Sequence, residues 1–317
     1  MPHLLIAGKL HPAGLALLDG LDGFTFDYVE EVSEPSYAPL IGKADGLVIR
    51  TQPLSSTTIV EASLLKIVSR HGVGYDSVDV AALSKRRIPL CVVGDVNSLS
   101  VAEHAIMLIL ASAKHLVRAD RSVREGPWGW RNALEAGEIS DKNLLIIGYG
   151  RSGRHLARMA QGFGMQTRAF DPFLLKQGWP DGPAAPATSL ADGLAWADVI
   201  SVHVPKAGRP ILGAEEFAQM KPGVIIVNTA RGGIVDEGAL GAALAKGQVG
   251  AAGLDVFEDE PPRKDHPLLA FDQVLLTPHI AGLTQQAAER MAVSSVQNVL
   301  DFFAGRLDSD LIVNKDF

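Results

Sequence analysis

Near the middle of this chain of 317 residues, the aliphatic run Leu144-Leu145-Ile146-Ile147 leads into Gly148-Tyr149-Gly150-Arg151-Ser152-Gly153 and then into a helical stretch at 155–163. Glycines at this spacing let a strand turn sharply into a helix whose first N–H groups are free to hold a pyrophosphate, so a dinucleotide is the expected guest. The next strand-like run, 166–170, ends in Asp171, eighteen residues past Gly153. A carboxylate there can accept hydrogen bonds from both hydroxyls of an adenosine ribose and would repel a 2′-phosphate, which favours NAD over NADP. The plainer reading of Asp171 is a turn residue before Pro172. Gly148, Gly150, Arg151, Ser152, Gly153 and Asp171 are the candidate cofactor residues on this reading, and something else must occupy the first hundred or so positions.

Those earlier positions alternate apolar runs at 4–7, 25–29, 46–49, 66–69 and 90–93 with helix-like stretches, the pattern of a parallel sheet with helices on its faces. Past Asn97, Ser100-Val101-Ala102-Glu103 reads as a capping box, and apolar spacing predicts one long crossover helix to about Arg124. A second series follows, with strands expected at 144–148, 166–170, 198–204, 224–228, 250–255 and 274–277, and helices at 151–163 and 237–246. Residues 180–188, rich in Pro, Ala and Gly, read as a surface loop. The amphipathic stretch 285–303 is expected to return to the first domain. The fold class is therefore α/β, with two doubly wound parallel-sheet domains in tandem.

Composition excludes several roles. The net charge is −7, and no basic cluster exceeds Lys85-Arg86-Arg87, so neither nucleic acid nor an anionic membrane is an expected partner. The longest apolar run, 105–111, is too short to span a bilayer, and no basic segment precedes the N-terminal apolar residues as a secretory signal requires. The single cysteine, Cys91, fits a reducing compartment, so a cytoplasmic protein is expected. Cys91 itself falls in an expected strand and reads as a small buried residue rather than a nucleophile. The histidines show no metal-ligand spacing with Cys or Asp, and no metal is expected.

Chemistry-bearing side chains fall where strands of the second series end. The run 224–228 closes into Thr229-Ala230-Arg231-Gly232-Gly233, the run 250–254 leads to Glu260, and 274–276 leads to Thr277-Pro278-His279. Ligands of open parallel sheets bind at the carboxyl ends of strands. An arginine clamps a carboxylate with its planar fork, a histidine exchanges a proton with a hydroxyl as hydride leaves or reaches its carbon, and a glutamate stabilises the imidazolium and fixes its orientation. Taken singly, each has a duller reading as a solvated charge, a loop residue or a turn histidine. Jointly, Arg231, Glu260 and His279 suit oxidation of a 2-hydroxy acid or reduction of its keto acid.

The sequence also resembles the D-isomer-specific 2-hydroxyacid dehydrogenases, in the branch containing phosphoglycerate dehydrogenase and glyoxylate/hydroxypyruvate reductases. The resemblance runs from about Gly46 to Gly282. Its carriers are His71-Gly72-Val73-Gly74-Tyr75-Asp76, Asn97-Ser98-Leu99-Ser100-Val101-Ala102-Glu103-His104, the glycine motif, and the stretches 228–240, 255–262 and Pro278-His279. It implies a flavodoxin-like substrate-binding domain made from both chain ends, 1–97 and 284–317, with an NAD-binding Rossmann domain, 98–283, inserted between them. It also implies Arg231, Glu260 and His279 as the catalytic trio and Asp255 near the nicotinamide amide. Val204, Pro205, Thr229, Ala230 and Gly282 would line the cofactor. The backbone at Val73 and Gly74 would hold the substrate carboxylate, and Arg50 lies where the phosphoglycerate branch has a substrate-binding arginine. A homodimer is implied through the helix starting near Ser98.

The chain departs from the family at Asp141-Lys142-Asn143-Leu144-Leu145, at Ser152, and at Lys206-Ala207-Gly208-Arg209-Pro210, where a Leu- and Thr-rich stretch is usual. With no regulatory domain after Phe317, serine-type feedback is not expected. Two rivals are an NAD-sensing corepressor-like interaction protein on the same fold and a dehydrogenase of a substrate such as formate. The acidic surface offers little to the first, and the Glu260–His279 pair gains the second nothing.

Overall fold

The computed structural model describes residues 1–206 and 208–315. Ala207, in the departing stretch 206–210, lies outside the described residues, as do Asp316 and Phe317 at the end of the expected substrate-domain segment. The chain forms two compact units, residues 1–97 with 283–317, and residues 98–282. The second crossing thus falls at Leu283 where residue 284 was expected.

The first unit holds strands β1 (His3–Ala7), β2 (Thr25–Val29), β3 (Gly46–Ile49), β4 (Ile67–Arg70) and β5 (Leu90–Cys91). Between them lie helices α1 (Pro12–Leu15), α2 (Glu34–Tyr37), α3 (Ser56–Glu61) and α4 (Val80–Lys85). All pairings are parallel, in the order β2-β1-β3-β4-β5, which is the flavodoxin-like winding. Parallel strands are covered on both faces, which is why β1 and β3 read as unbroken apolar runs instead of alternating. The run expected to continue to Val93 stops pairing at Cys91, because the Val92 N–H turns to the Leu311 carbonyl and the Val93 N–H to Gly72.

The second unit contains β6 (Asn143–Ile147), β7 (Gln166–Phe170), β8 (Ala185–Pro186), β9 (Val199–Val202), β10 (Val224–Asn228), β11 (Val249–Leu254) and β12 (Val274–Leu276). Its helices are α5 (Ser98–Ala113), α6 (Leu116–Arg124), α7 (Arg151–Gly162), α8 (Pro172–Gln177), α9 (Leu190–Trp196), α10 (Ala214–Ala218) and α11 (Glu237–Ala245). The parallel order β12-β11-β10-β9-β6-β7-β8 is doubly wound, and the winding reverses between β6 and β9. A crevice opens at such a switch point, outside the carboxyl ends of the strands.

The long helix expected from the capping box is two helices. It begins at Ser98, two residues ahead of Ser100, and bends by 59° between α5 and α6. His115 adopts the left-handed conformation (φ 48°), and the Gly137 N–H takes the Ala113 carbonyl at 2.7 Å, which the next turn would have needed. Residues 180–188 are not all loop, since β8 adds an edge strand whose Pro186 sits where a missing N–H costs least. Among the described residues no single helix is long and apolar enough to cross a membrane.

Helix α12 (Gln285–Phe303) returns to the first unit. Its buried Ala292, Val296 and Val299 pack with Leu4, Ile6, Val48 and Ile67, each Val, Leu or Ile burial stabilising by roughly 1.5–3 kcal/mol. Glycines permit the approach: a Cβ at Gly46 would lie 2.7 Å from a Val299 methyl. Buried Asn298 donates to the Val92 carbonyl at 3.1 Å, fixing the helix in register over the sheet.

Candidate active site

In the glycine turn each glycine answers a different demand. Gly148 leaves β6 at φ 94°, and a Cβ there would meet the His203 carbonyl at 2.5 Å and a Val204 methyl at 2.6 Å. Gly153, in the first turn of α7, lies where a Cβ would be 2.3 Å from the Gly148 carbonyl, so helix and strand can approach only if it is bare. Gly150 is different: as the N-cap of α7 it faces open space, with nothing within 4 Å of its would-be Cβ. No side chain caps the helix there, and its first N–H groups are left for an acceptor from outside the chain. This helix terminus fits a dinucleotide pyrophosphate. Exposed Arg151 and half-buried Ser152 occupy the same first turn.

Asp171 acts as the turn residue of the plainer reading and as a tether to the glycine turn. One carboxylate oxygen accepts from the Phe173 and Leu174 N–H groups at 3.1 and 3.2 Å, capping α8, and the other accepts from the Tyr149 N–H at 3.1 Å. The residue after β7 is thereby tied to the glycine turn after β6. Tyr149 is buried and stacks on Trp179 with ring centroids 5.2 Å apart, closing the turn from its inner side.

His279 and Glu260 are brought together: His279 Nδ1 lies 2.7 Å from Glu260 Oε2, while Glu260 Oε1 accepts from the Phe257 N–H at 3.1 Å. A carboxylate can only accept, so Nδ1 carries the proton and Nε2 is the nitrogen left for other chemistry. His279 itself sits at φ 53°, in the left-handed region that a non-glycine residue occupies only when its surroundings hold it.

Asp255 supplies much of that hold. Fully buried after β11, its Oδ1 accepts from Thr277 Oγ1 at 2.5 Å and the Ile280 N–H at 2.9 Å, and its Oδ2 from the Ala281 N–H at 2.8 Å. Its own carbonyl accepts the His279 N–H at 2.8 Å. The carboxylate is thus committed to the strap 277–281. His104, on α5, adds a further contact, with Nε2 2.9 Å from Thr277 Oγ1. Burial holds the His104 imidazole below its usual pKa, while the Asp255 charge opposes that shift. Both fall in stretches singled out in the sequence, but neither was legible as a site residue, since they contact each other across 173 positions.

Arg231 rides on a loop built by Asn228, whose side chain accepts from the Ala230 N–H at 3.0 Å and donates to the Arg231 carbonyl at 2.9 Å. A Cβ on Gly232 would fall 1.6 Å from the Phe257 carbonyl, so this loop lies directly on the backbone that leads to Glu260. Glu237 ties the same backbone down by accepting the Glu258 N–H at 2.6 Å and contacting His266 Nε2 at 2.8 Å. Of the remaining expected cofactor residues, Thr229 is buried with an Oγ1 lacking a hydrogen-bond partner, Val204, Ala230 and Gly282 are half-buried, and Pro205 is exposed.

In the first unit, Arg50 follows β3, while Val73 and Gly74 follow β4. Arg50 Nη1 donates to the Lys9 carbonyl at 3.3 Å, and Val73 is exposed. Beside them His71 is buried, and burial together with the charges of Arg50 and Arg70 pushes its pKa down to about 3.

Comparison with known proteins bears on this arrangement. The family described as D-isomer specific 2-hydroxyacid dehydrogenase, NAD binding domain, matches residues 106–281. The chain is 40% identical to a D-3-phosphoglycerate dehydrogenase of Archaeoglobus fulgidus over 268 residues, 84% of this chain and 50% of that one. It is 38% identical to a hydroxypyruvate reductase of Thermotoga maritima over 275 residues, covering 85% of this chain and 88% of that one. A solved D-lactate dehydrogenase from Aquifex aeolicus, complexed with NAD and lactic acid, superposes with a TM-score of 0.85 at 27% identity, covering 99% and 100% of the two chains. The chain spans 50% to 59% of the length of the phosphoglycerate dehydrogenases it matches.

Proposed function

Because this chain belongs to the D-isomer-specific 2-hydroxyacid dehydrogenases, we propose that it is an NAD-dependent oxidoreductase interconverting a small D-2-hydroxy acid and its 2-keto acid. The substrate is of the hydroxypyruvate, glyoxylate or 3-phosphoglycerate type. The observation that carries this reading is the 2.7 Å contact between His279 and Glu260 beside the Arg231 loop, all at carboxyl ends of strands in the second unit.

The cofactor would be held by the turn Gly148 to Gly153, by Asp171 on the ribose, and by Thr229, Ala230, Val204, Pro205 and Gly282 near its reactive end. Bound NAD supplies the hydride acceptor, and NADH the donor. Arg231 orients the substrate carboxylate with its fork and polarises the carbonyl. His279 gives a proton from Nε2 to the forming hydroxyl in reduction and takes it back in oxidation. Glu260 fixes the ring orientation through Nδ1 and stabilises the charged imidazolium. Asp255 acts mainly by holding the His279 strap. Within the first unit, the backbone at Val73 and Gly74 and the side chain of Arg50 are the groups that would bind the acid.

We further read the protein as a cytoplasmic homodimer. Leu116, Val117, Val123, Trp128 and Leu134 are exposed along α6 and the segment after it, a concentration of apolar surface suited to self-association. The test of function is NADH absorbance followed with a panel of glyoxylate, hydroxypyruvate and phosphohydroxypyruvate. Turnover of one of them is expected, and binding of NADH without turnover of any 2-keto acid would sink the reading. Sedimentation velocity decides the dimer.

A further inference from the structure

The structure assigns His104 a part in the reaction: we infer that it is a positioning residue that holds the catalytic His279 from behind, through Thr277 and Asp255. The inference rests on the proposed function for what His279 does, and on geometry alone for how it is held.

The direction of each hydrogen bond follows from counting protons. Thr277 has one hydroxyl proton, and at 2.5 Å from Asp255 Oδ1, which can only accept, that proton is committed. The Thr277 oxygen must then accept from His104, so the His104 Nε2 bears a proton. Nε2 is also 3.6 Å from Asp255 Oδ1, adding a favourable dipole to a carboxylate that is entirely buried. Burial disfavours the charged form of the ring, against the pull of the Asp255 carboxylate, while the hydrogen bond to Thr277 makes Nε2 the donor.

What this network fixes is unusual backbone. His279 at φ 53° is costly for a residue with a Cβ, on the order of 1–3 kcal/mol, and persists only where its neighbours over-determine it. Thr277, Ile280 and Ala281 hang from the Asp255 carboxylate on either side of His279, with the His279 N–H on the Asp255 carbonyl between them. His104 extends this anchorage to the middle of α5, whose Ala105, Leu108 and Ile109 are packed into the core. A strap hung only from its own sheet would share that sheet's loop motions. One also pinned to a long core helix does not, and it carries Nδ1 of His279 to Glu260 at a fixed angle.

The experiment compares His104→Leu, His104→Gln, Thr277→Val and the Leu/Val double variant in the full chain. Leu keeps apolar volume without a donor, whereas the Gln amide can place a donor near the position of Nε2. For His104→Leu, kcat is expected to fall by about 10²-fold, the scale of an ångström-sized misplacement of a catalytic group, with the KM for NADH within about twofold of the parent. The downfield proton resonance of the His279 Nδ1–H on Glu260 should weaken or vanish. His104→Gln should restore both, Thr277→Val should reproduce the loss, and the double variant should be no worse than either single one, because both cut one chain of contacts. Wild-type kcat and an unaltered His279 resonance in His104→Leu would overturn the inference, as would additive losses in the double variant or failure of Gln to restore what Leu removes. If the parent protein turns over no 2-keto acid, the functional reading fails by itself, and the resonance comparison still decides whether His104 positions His279.

Discussion

His279 Nδ1 lies 2.7 Å from Glu260 Oε2, and the two side chains come from loops after different strands, β12 and β11. The pair is therefore a product of strand register: β11 and β12 run parallel with Leu254 beside Leu276, which delivers both loops to one edge.

Removing the proton carrier and removing its partner should differ in degree. His279→Ala is expected to lower kcat by about 10³–10⁴-fold and Glu260→Gln by about 10²-fold, because the amide still orients the ring but no longer balances its charge. Steady-state NADH consumption measures both. Equal losses would mean that Glu260 does more than orient and stabilise.

The glycines of the turn should separate folding from binding. Gly153→Ala forces a Cβ to 2.3 Å from the Gly148 carbonyl and should lower Tm, as large steric insertions in packed regions cost roughly 1–3 kcal/mol. Gly150→Val meets open space, so Tm should stay close to the parent while NADH affinity drops by at least about tenfold, the weight of one backbone approach to a pyrophosphate. Thermal melts and fluorescence titration with NADH read the two effects apart.

Asp171→Ala should show two effects at once. Loss of the α8 cap costs about 1 kcal/mol of stability, and loss of the carboxylate weakens NADH binding while relaxing the bias against NADPH. A ratio of NADPH to NADH affinities that does not move would remove Asp171 from the ribose site and leave it as cap and tether only.

The Arg231 loop has no room for a side chain at Gly232. Gly232→Ala would drive a Cβ into the Phe257 carbonyl and push this loop off the segment carrying Glu260. A fall in kcat of about 10²-fold or more is expected, the cost of ångström-scale misplacement. A Gly232→Ala variant with parental kcat would show that the two loops move independently of the chemistry.

Acid should loosen the first unit through His71. Its pKa, about 3 in the fold against about 6.5 when unfolded, means that the ring is neutral in both states above pH 6.5. Below that pH the unfolded chain takes up a proton that the fold refuses, so stability is lost as pH falls, by about 1.4 kcal/mol per unit. Burial is the main cause, with Arg50 and Arg70 adding repulsion. The urea midpoint should therefore fall less steeply between pH 6.5 and 5 in His71→Asn than in the parent.

Legibility followed the range of the interactions involved. Strands such as 46–49 and 224–228 could be read to the residue, because a buried parallel strand writes nearly its whole length in apolar side chains. The break at His115 could not, because it depends on Gly137 reaching back to Ala113, a contact that no local pattern records. Short helices such as α8 and α9 offer too few turns for a period to emerge, although their caps, Asp171 and Ser189, were there to be read. Within the candidate site, Arg231, Glu260 and His279 were visible as chemistry at strand ends. The scaffolding by Asp255, Thr277 and His104 was not, since it joins positions up to 173 residues apart.

The return of α12 to the first sheet has a consequence for the order in which the molecule is made. Leu4, Ile6, Val48 and Ile67 emerge early in synthesis, yet the Ala292, Val296 and Val299 that cover them come more than 200 residues later. At roughly 5–20 residues per second, that apolar face waits some tens of seconds for its helix, whereas residues 98–282 have every partner to hand as soon as they are translated. The unit begun first is completed last, and the ribosome must carry an unfinished sheet past a finished domain.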